Sequence, residues 1–299
     1  MEINEISVSN SGKLEVLIIV DTRPEIIRLS AVISRCREYF YTVLTHTDQN
    51  YHYNLSSVFF KALNIVEPDV YLNCVGDGLS FTVGNIVAFS YNLMKMIKPD
   101  ALLILRDINS FLSAISAKRL HIPIFHMEAG NRCKDESLPK GKIVDIIKDV
   151  NLVYSEPAQK YLHECGIPKE RVYVTGLPMA EVLTNYLDKI FASNILESLQ
   201  FQKKKYILLS AHKEENIDTD ENFYSLFHAI NFLATNYEMP ILYSCLPRSK
   251  KKLLSSNFKL DNRAILHEPL GFYDSKKNIN EVKQQFLLLD DYNVPLFNY

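Results

Sequence analysis

The chain has 299 residues, 47% of them hydrophobic, and a formal net charge of −2. This length predicts two domains of ordinary size, each with enough apolar residues for a buried core. The near-neutral charge argues against nucleic acid or an anionic membrane surface as a partner. No apolar run approaches the roughly 18 residues that cross a bilayer, and the polar, acidic start is not a signal peptide.

The cysteines are far apart in the sequence and form no Cys-x-x-Cys pair. They are Cys36, Cys74, Cys133, Cys165 and Cys245. Neither a disulfide framework nor a metal site is predicted from this spacing. We therefore expect reduced thiols and a cytoplasmic protein without a bound metal.

Short apolar runs alternate with helical patterns over the first part of the chain. Strands are predicted at Glu15–Val20, Tyr41–Thr45, Ala101–Leu105, Pro123–Met127, Leu152–Tyr154 and Val172–Thr175. Helices are predicted at Pro24–Tyr39, Phe81–Ile97, Ser110–Leu120 and Pro157–Cys165. Such alternation predicts an α/β fold with a parallel, doubly wound sheet, in which ligands bind beyond the carboxyl ends of the strands.

A long helix, Met179–Leu199, then leads into a second α/β unit. This unit is predicted to contain the strands Tyr206–Ser210, Ile241–Ser244 and Ala264–His267 and the helix Asn222–Asn236. We place the domain boundary near Gln200, which gives a polar tail (1–13), a first domain (14–200) and a second domain (201–299). The second domain has room for three or four strands. The sequence after Asp274 does not fit another βαβ unit, so we expect this domain to be incomplete.

The stretch Thr22-Arg23-Pro24-Glu25 joins the first strand to the first helix. A helix start attracts anions, and Arg23 could bind a phosphate with two hydrogen bonds. The alternative is an ordinary helix start with Asp21 or Thr22 as the N-cap.

Two carboxylates follow successive predicted strands. Asp107 comes after Ala101–Leu105, and Glu128 comes after Pro123–Met127. Since consecutive strands are often neighbours, both could face one crevice, and paired carboxylates suit proton transfer. Alternatively, Asp107 caps the helix that begins near Ser110, and Glu128 pairs with Arg132.

His212 and Lys213 follow the first strand of the second domain. A histidine at this place could hold a phosphate or move a proton in the gap between the domains. The alternative is a surface histidine or one with its hydrogen bonds satisfied internally, since a lone histidine is often only that.

Six stretches together resemble the non-hydrolysing UDP-N-acetylglucosamine 2-epimerase family. They read TRPEIIRLS, LTHTDQNY, SAKRLHIPIFHMEAGNR, YVTGLPMAEVL, SAHKEENID and LHEPLGFYD, and the resemblance runs from about Leu14 to Asp274. Within the family, the chain is most similar to the branch that forms UDP-N-acetyl-L-fucosamine for polysaccharides. The resemblance implies a GT-B-like architecture of two Rossmann-like, doubly wound domains.

The resemblance also implies a reaction and a set of site residues. In the family, a proton leaves sugar C2 while UDP is eliminated, and UDP then adds back as C2 is protonated on the opposite face. The substrate is a UDP-amino sugar, no metal or redox cofactor is needed, and the chain is expected to be a homodimer if it follows the family. The positions that match family acid/base residues or a site near the diphosphate are Asp107, Glu128 and His212. The positions implied for substrate binding are Arg23, Arg28, Gln49, Arg132, Glu215 and Asn216.

The chain departs from the family motifs at the ligand-facing strand ends. Family glycines are replaced by Asp21, Asp48 and Arg106. At ~4 Å and an effective dielectric of ~20, each added carboxylate would oppose a diphosphate charge by about 4 kcal/mol. A family segment that supplies another glutamate is shortened to SLPKGKIVDII, where Asp145-Ile146 stands for the branch's Asp-His.

The second domain departs as well. The family's Pro-x-His-Pro stretch reads Ser244-Cys245-Leu246-Pro247, and the later UDP-holding motifs are absent, as from a truncated or altered C-terminal part. These departures predict weak UDP binding and impaired turnover. Two other functions therefore stay open: an inactive relic that acts as a binding protein, and a GT-B glycosyltransferase, against which the EAGNR and AHKEEN stretches argue.

Overall fold

The structure is a computed structural model that describes residues 12–47, 60, 63–105, 109–131, 145–210, 219–245, 247–268, 270–281 and 284–287. The chain divides into two compact units, residues 1–185 and 186–299. Sequence analysis places the domain boundary near Gln200, and that boundary stays a prediction. No helix within the described ranges is both long enough and apolar enough to cross a membrane.

The first unit alternates strands and helices, as the sequence predicts. Its elements are β1 (Glu15–Val20), α1 (Arg23–Tyr39), β2 (Tyr41–His46), β3 (Val70–Tyr71), α2 (Leu79–Ile97), β4 (Ala101–Leu105), a 3₁₀ turn (Asn109–Leu112), α3 (Ser113–Arg119), β5 (Ile124–Met127), β6 (Val150–Val153), α4 (Glu156–Glu164), a second 3₁₀ turn (Lys169–Arg171), β7 (Val172–Val174) and α5 (Pro178–Phe191), inside which the division between the units falls.

Seven parallel strands form one sheet in the order β3-β2-β1-β4-β5-β6-β7. The central strand β1 pairs with β2 on one side and β4 on the other, so that Leu17 lies opposite both Val43 and Leu102. The strand order reverses between β1 and β4. In open α/β sheets this switch point is where ligands bind, so the residues that follow β1 and β4 are the first candidates for a site.

The central strands read as almost continuous apolar runs because helices cover both faces of the sheet. One face buries Leu17, Ile19, Leu102, Ile104 and Ile124 in a core that also includes residues of α2 and α3. Helix α1 begins after Thr22, its N-cap, with Pro24 in the first turn. The helix start with Thr22 as the N-cap is therefore confirmed, while phosphate binding by Arg23 stays a prediction.

The second unit forms a four-stranded parallel sheet in the order β10-β9-β8-β11. Its elements are α6 (Ile195–Ser198), β8 (Ile207–Ser210), α7 (Asp220–Tyr237), β9 (Ile241–Ser244), α8 (Pro247–Ser255), β10 (Ala264–His267), α9 (Phe272–Glu281) and β11 (Gln284–Leu287). The single helix predicted at Met179–Leu199 is wrong, because α5 ends at Phe191 and α6 begins after Asn194. Asn and Ser hydrogen-bond locally and favour such interruptions.

The expectation that the sequence after Asp274 forms no further βαβ unit is also wrong. Helix α9 is followed by β11, which pairs in parallel with β8, so that Gln284 lies opposite Ile207. The helix is polar along most of its length, which hid it in the sequence. It is attached to the sheet by the buried Tyr206, whose hydroxyl lies 3.0 Å from the carbonyl oxygen of Asn278 and 2.9 Å from its Oδ1.

Candidate functional site

Glu128 follows β5 at the carboxyl edge of the first sheet, and its backbone has φ +64°. This left-handed conformation is costly for a residue with a side chain, and such strain often occurs at functional sites. The turn continues to Gly130, where φ is +73° and a Cβ atom would lie 2.8 Å from the carbonyl oxygen of Ala158. Only glycine fits there, so the Glu-Ala-Gly sequence fixes the direction in which Glu128 leaves the strand.

Glu128 forms a buried ion pair with Arg28 of α1. The distance between Arg28 Nη1 and Glu128 Oε2 is 2.8 Å, and the two side chains are 6% and 3% exposed. The hydroxyl of Tyr154, which follows β6, lies 3.5 Å from the same Oε2. Residues from α1, β5 and β6 therefore converge on one carboxylate at the ligand-binding edge of the sheet.

Glu25 connects the start of α1 to the segment after β4. Its Oε2 accepts hydrogen bonds from the backbone N–H groups of Asp21 (2.7 Å) and Thr22 (2.9 Å). Its Oε1 accepts from the hydroxyl of Ser110, at 2.5 Å. The Glu25 side chain is fully buried. The two loops beside the switch point between β1 and β4 are thus joined through one carboxyl group.

Asp21 is also buried, with 1% of its surface exposed, and its Oδ1 accepts a hydrogen bond of 2.5 Å from the Thr47 hydroxyl at the end of β2. Burial raises the pKa of Asp21 to about 6, although the Thr47 bond opposes this shift. Burial, and then the negative charge of Asp21, raise the pKa of Glu25 to about 8, against the effect of its three hydrogen bonds. Burial therefore favours the protonated form of both carboxyl groups.

A second buried polar group lies on β5 and β6. His126 Nδ1 lies 3.1 Å from Asp145 Oδ1, and both side chains are almost completely buried. Asn151 of β6 lies opposite His126 in the sheet and is fully buried. Because His126 is two residues before Glu128, this group fixes the strand that carries the candidate carboxylate.

The structure brings together two of the predicted site residues, Glu128 and Arg28. For Arg23 it describes the backbone, at the first position of α1. The other predicted residues lie outside the described ranges: Asp107, His212, Gln49, Arg132, Glu215 and Asn216. The crevice shared by Asp107 and Glu128, and the alternative roles of Asp107, Arg132 and His212, therefore stay predictions.

Three residues at this edge were not singled out as site residues from the sequence. Thr47 directly precedes the predicted Asp48-Gln49 stretch, and Ser110 was noted only as a helix start. Tyr154 was interpreted as the end of a strand. Thr47 and Tyr154 directly follow β2 and β6, and Ser110 lies in the 3₁₀ turn after β4, so their positions close to strand ends are the signal that could have identified them.

These contacts define what the edge can do. A positioned carboxylate beside an arginine can accept or donate a proton, and the N-terminus of α1 can hold an anion. Across the part of the chain that the structure describes, no group of three or more His, Cys, Asp or Glu side chains is placed to hold a metal ion.

Comparison with known proteins identifies the family to which the sequence is similar. Residues 34–284 match the family model described as UDP-N-acetylglucosamine 2-epimerase. A UDP-N-acetylglucosamine 2-epimerase homolog of Methanococcus maripaludis is 30% identical over 275 residues, which cover 90% of this chain and 73% of that protein.

Solved structures agree with this match. A UDP-N-acetylglucosamine 2-epimerase from Rickettsia bellii superposes with a TM-score of 0.84 at 37% identity, covering 92% of this chain and 74% of that one. The enzyme of Methanocaldococcus jannaschii, solved in complex with UDP-GlcNAc and UDP, gives a TM-score of 0.82 at 26% identity, covering 92% and 78%.

Proposed function

Because the chain belongs to the UDP-N-acetylglucosamine 2-epimerase family, we propose that it is an isomerase that inverts C2 of a UDP-N-acetylhexosamine. The proton on C2 of such a sugar is not adjacent to a carbonyl group and is weakly acidic. An enzyme must therefore combine a positioned base with stabilisation of the departing UDP. The GT-B-like fold, with ligand edges on parallel sheets, is suited to both tasks.

The proposed reaction balances without any added group. A carboxylate takes the C2 proton, the electrons of that C–H bond form the C1–C2 double bond, and the C1–O bond electrons leave with UDP. UDP then adds back to C1 while C2 receives a proton on the opposite face. No metal or redox cofactor takes part in this proposal.

One observation carries the proposal for this chain: Glu128 is held in a left-handed backbone conformation with its carboxylate against Arg28. In the proposal Glu128 is an acid/base residue, together with Asp107 and His212. Arg23 and Gln49 bind the nucleotide, as do Arg132, Glu215 and Asn216. Arg28, placed on the substrate by resemblance, also holds Glu128 in position.

The finer assignments are part of the same proposal. The quoted sequence stretches favour the branch that forms UDP-N-acetyl-L-fucosamine, with a role in sugar supply for polysaccharides. We place the protein in the cytoplasm as a homodimer that binds no nucleic acid. The inactive relic and the glycosyltransferase are less favoured, because no specific contact at the described edge supports either of them.

The proposal is tested by incubating the full chain with UDP-N-acetylglucosamine and following the sugar by proton NMR. A second set of sugar signals, from the C2 epimer, is expected. Glu128→Gln should slow its formation by about 10²-fold or more, whereas Glu164→Gln, an exposed change on α4, should not. If a panel of UDP-amino sugars, including the fucosamine-series substrates, gives no epimer, the proposal is wrong and the relic becomes the better hypothesis.

A further inference from the structure

Asp21 occupies the position where the family motif has glycine, at the turn between β1 and α1. From the sequence alone, the negative charge of Asp21 is expected to repel a diphosphate. In the structure, however, the side chain is 1% exposed and its Oδ1 is committed to the Thr47 hydroxyl at 2.5 Å. The Asp21 carboxylate thus accepts a short hydrogen bond from inside the protein, and its partner Thr47 lies at the end of the neighbouring strand β2.

Thr47 is attached to the sheet in three ways. Its N–H donates to the carbonyl oxygen of Val20 at 3.0 Å, and its carbonyl oxygen accepts from the N–H of Cys74 at 2.9 Å. The bond to Asp21 is the third, and it fixes the side chain. Thr45, two residues earlier on β2, is also fully buried, but its hydroxyl has no hydrogen-bond partner among the described residues. Of these two threonines, it is therefore the one directly after β2 that is held by Asp21.

We propose that Asp21 is a positioning residue of the nucleotide site, which holds the Thr47 side chain at the carboxyl edge of the sheet, beside the ends of β1 and β2. This inference rests on the proposed function, because it assumes that this edge binds UDP. In this proposal Asp21 is not a sign of a damaged phosphate site. It supplies a side-chain hydrogen bond that a glycine cannot form.

The charge of Asp21 can be separated from its hydrogen bond by substitution. Within the described residues, the charge of Asp21 acts on the carboxyl group of Glu25 in α1, and Thr47, directly after β2, donates its hydroxyl hydrogen to Asp21. Asp21→Asn keeps an acceptor oxygen and removes the charge, whereas Asp21→Gly removes both. Thr47→Val removes the hydroxyl donor, and Thr47→Ser retains it. Thr45→Val is the control, since it removes a hydroxyl that forms no hydrogen bond with the described residues.

Calorimetric titration with UDP distinguishes the two accounts. Since a hydrogen bond contributes roughly threefold to tenfold in an equilibrium constant, Asp21→Gly and Thr47→Val should each weaken UDP binding by about that factor, and not additively. Asp21→Asn, Thr47→Ser and Thr45→Val should stay within about twofold of the unmodified chain. Tighter binding by both Asp21→Asn and Asp21→Gly would overturn the proposal in favour of charge repulsion.

Hydrogen exchange tests the proposal without a ligand. The Thr47 amide, which donates to Val20, should exchange about tenfold faster in Asp21→Gly and Thr47→Val than in Thr45→Val. If the unmodified chain binds no UDP, the proposed function fails while this result still decides the role of Asp21. Unchanged exchange in both variants would overturn the positioning role, whatever the chain binds.

Discussion

At the scale of single residues, the best-defined part of the candidate site is the pair of Glu128 and Arg28. Both side chains are almost completely buried, so water does little to screen their charges. The Tyr154 hydroxyl approaches the same carboxylate oxygen. A carboxylate held on one oxygen by two side chains has a fixed orientation, which is what proton transfer to or from a bound sugar requires.

Arg28→Met should be strongly destabilising, because it removes the cation from a buried ion pair. We expect the free energy of unfolding, measured by urea denaturation, to fall by about 3–5 kcal/mol. Adding Glu128→Gln should restore part of this loss. Arg35→Met is the matched control, since Arg35 lies on the same helix in an exposed pair with Glu38 and its loss should change stability little. Equal effects of the two arginine substitutions would contradict the role of the buried pair.

Stability should depend on pH through Asp21 and Glu25. Their pKa values in the folded chain, about 6 and about 8, lie above the ordinary 3.8 and 4.5, so the folded state binds protons more tightly than the unfolded one. This contribution to stability is complete below about pH 4 and is lost as the pH rises through the folded values. We expect the difference in unfolding free energy between the unmodified chain and Asp21→Asn to decrease from pH 5 to pH 8.

Urea denaturation at several pH values measures this difference, and the exposed Asp188→Asn serves as the control. A difference that grows with pH would show that Asp21 is stabilised in its ionised form. That result would make the Thr47 hydrogen bond, rather than burial, the dominant effect on its pKa.

At the scale of structural elements, the turn after β5 depends on close packing against α4. Gly130 has a left-handed backbone, and the carbonyl oxygen of Ala158 occupies the space where a side chain would begin. The position of Glu128 thus depends on a backbone contact between two elements and on more than its own side-chain bonds.

Gly130→Ala should therefore destabilise the chain by more than about 1 kcal/mol, since it adds both a clash and an unfavourable φ. Gly84→Ala is the control. Gly84 lies within α2 with open space around its Cα, so alanine there should be neutral or stabilising by about 0.5–1 kcal/mol. Thermal unfolding of both variants checks the comparison, and a neutral Gly130→Ala would contradict the packing argument.

A strand was predicted accurately where the apolar run in the sequence has the same bounds as the hydrogen-bonded strand in the structure. The bounds of β1, β4, β9 and β10 match their predictions, because each of these strands coincides with one short apolar run in the sequence. Strand β6 was displaced by two residues at its start because the buried Asn151 interrupts the apolar pattern. Strand β3 has only two residues, too few for any periodicity, and α9 is hidden by its lysines and asparagines.

The site was predictable in part for the same reason. Glu128 was found because it directly follows a buried strand. Its partner Arg28 is 100 residues away in sequence, and such a contact is decided by strand order, which one sequence does not specify. The contacts of Thr47 and Ser110 likewise depend on the switch point between β1 and β4.

At the scale of the whole molecule, each of the two units has a parallel sheet of its own, and the fold matches that of a solved UDP-N-acetylglucosamine 2-epimerase. The chain spans 73% of the length of its Methanococcus maripaludis relative and 74% of the Rickettsia bellii structure. Within the first sheet, the strand order alone puts the turns after β1, β4 and β5 side by side. In our proposal the inversion at sugar C2 takes place at this carboxyl edge of the first sheet, where the UDP-sugar would bind.

The most direct test is to incubate the chain with UDP-N-acetylglucosamine in D₂O and to measure deuterium at C2 by NMR. We expect loss of the C2 proton signal in both epimers, because each turnover removes that proton and returns one from solvent. Glu128→Gln should slow the exchange about 10²-fold or more, and the exposed Glu156→Gln should not. A chain that binds the sugar nucleotide but retains the C2 proton would contradict the account.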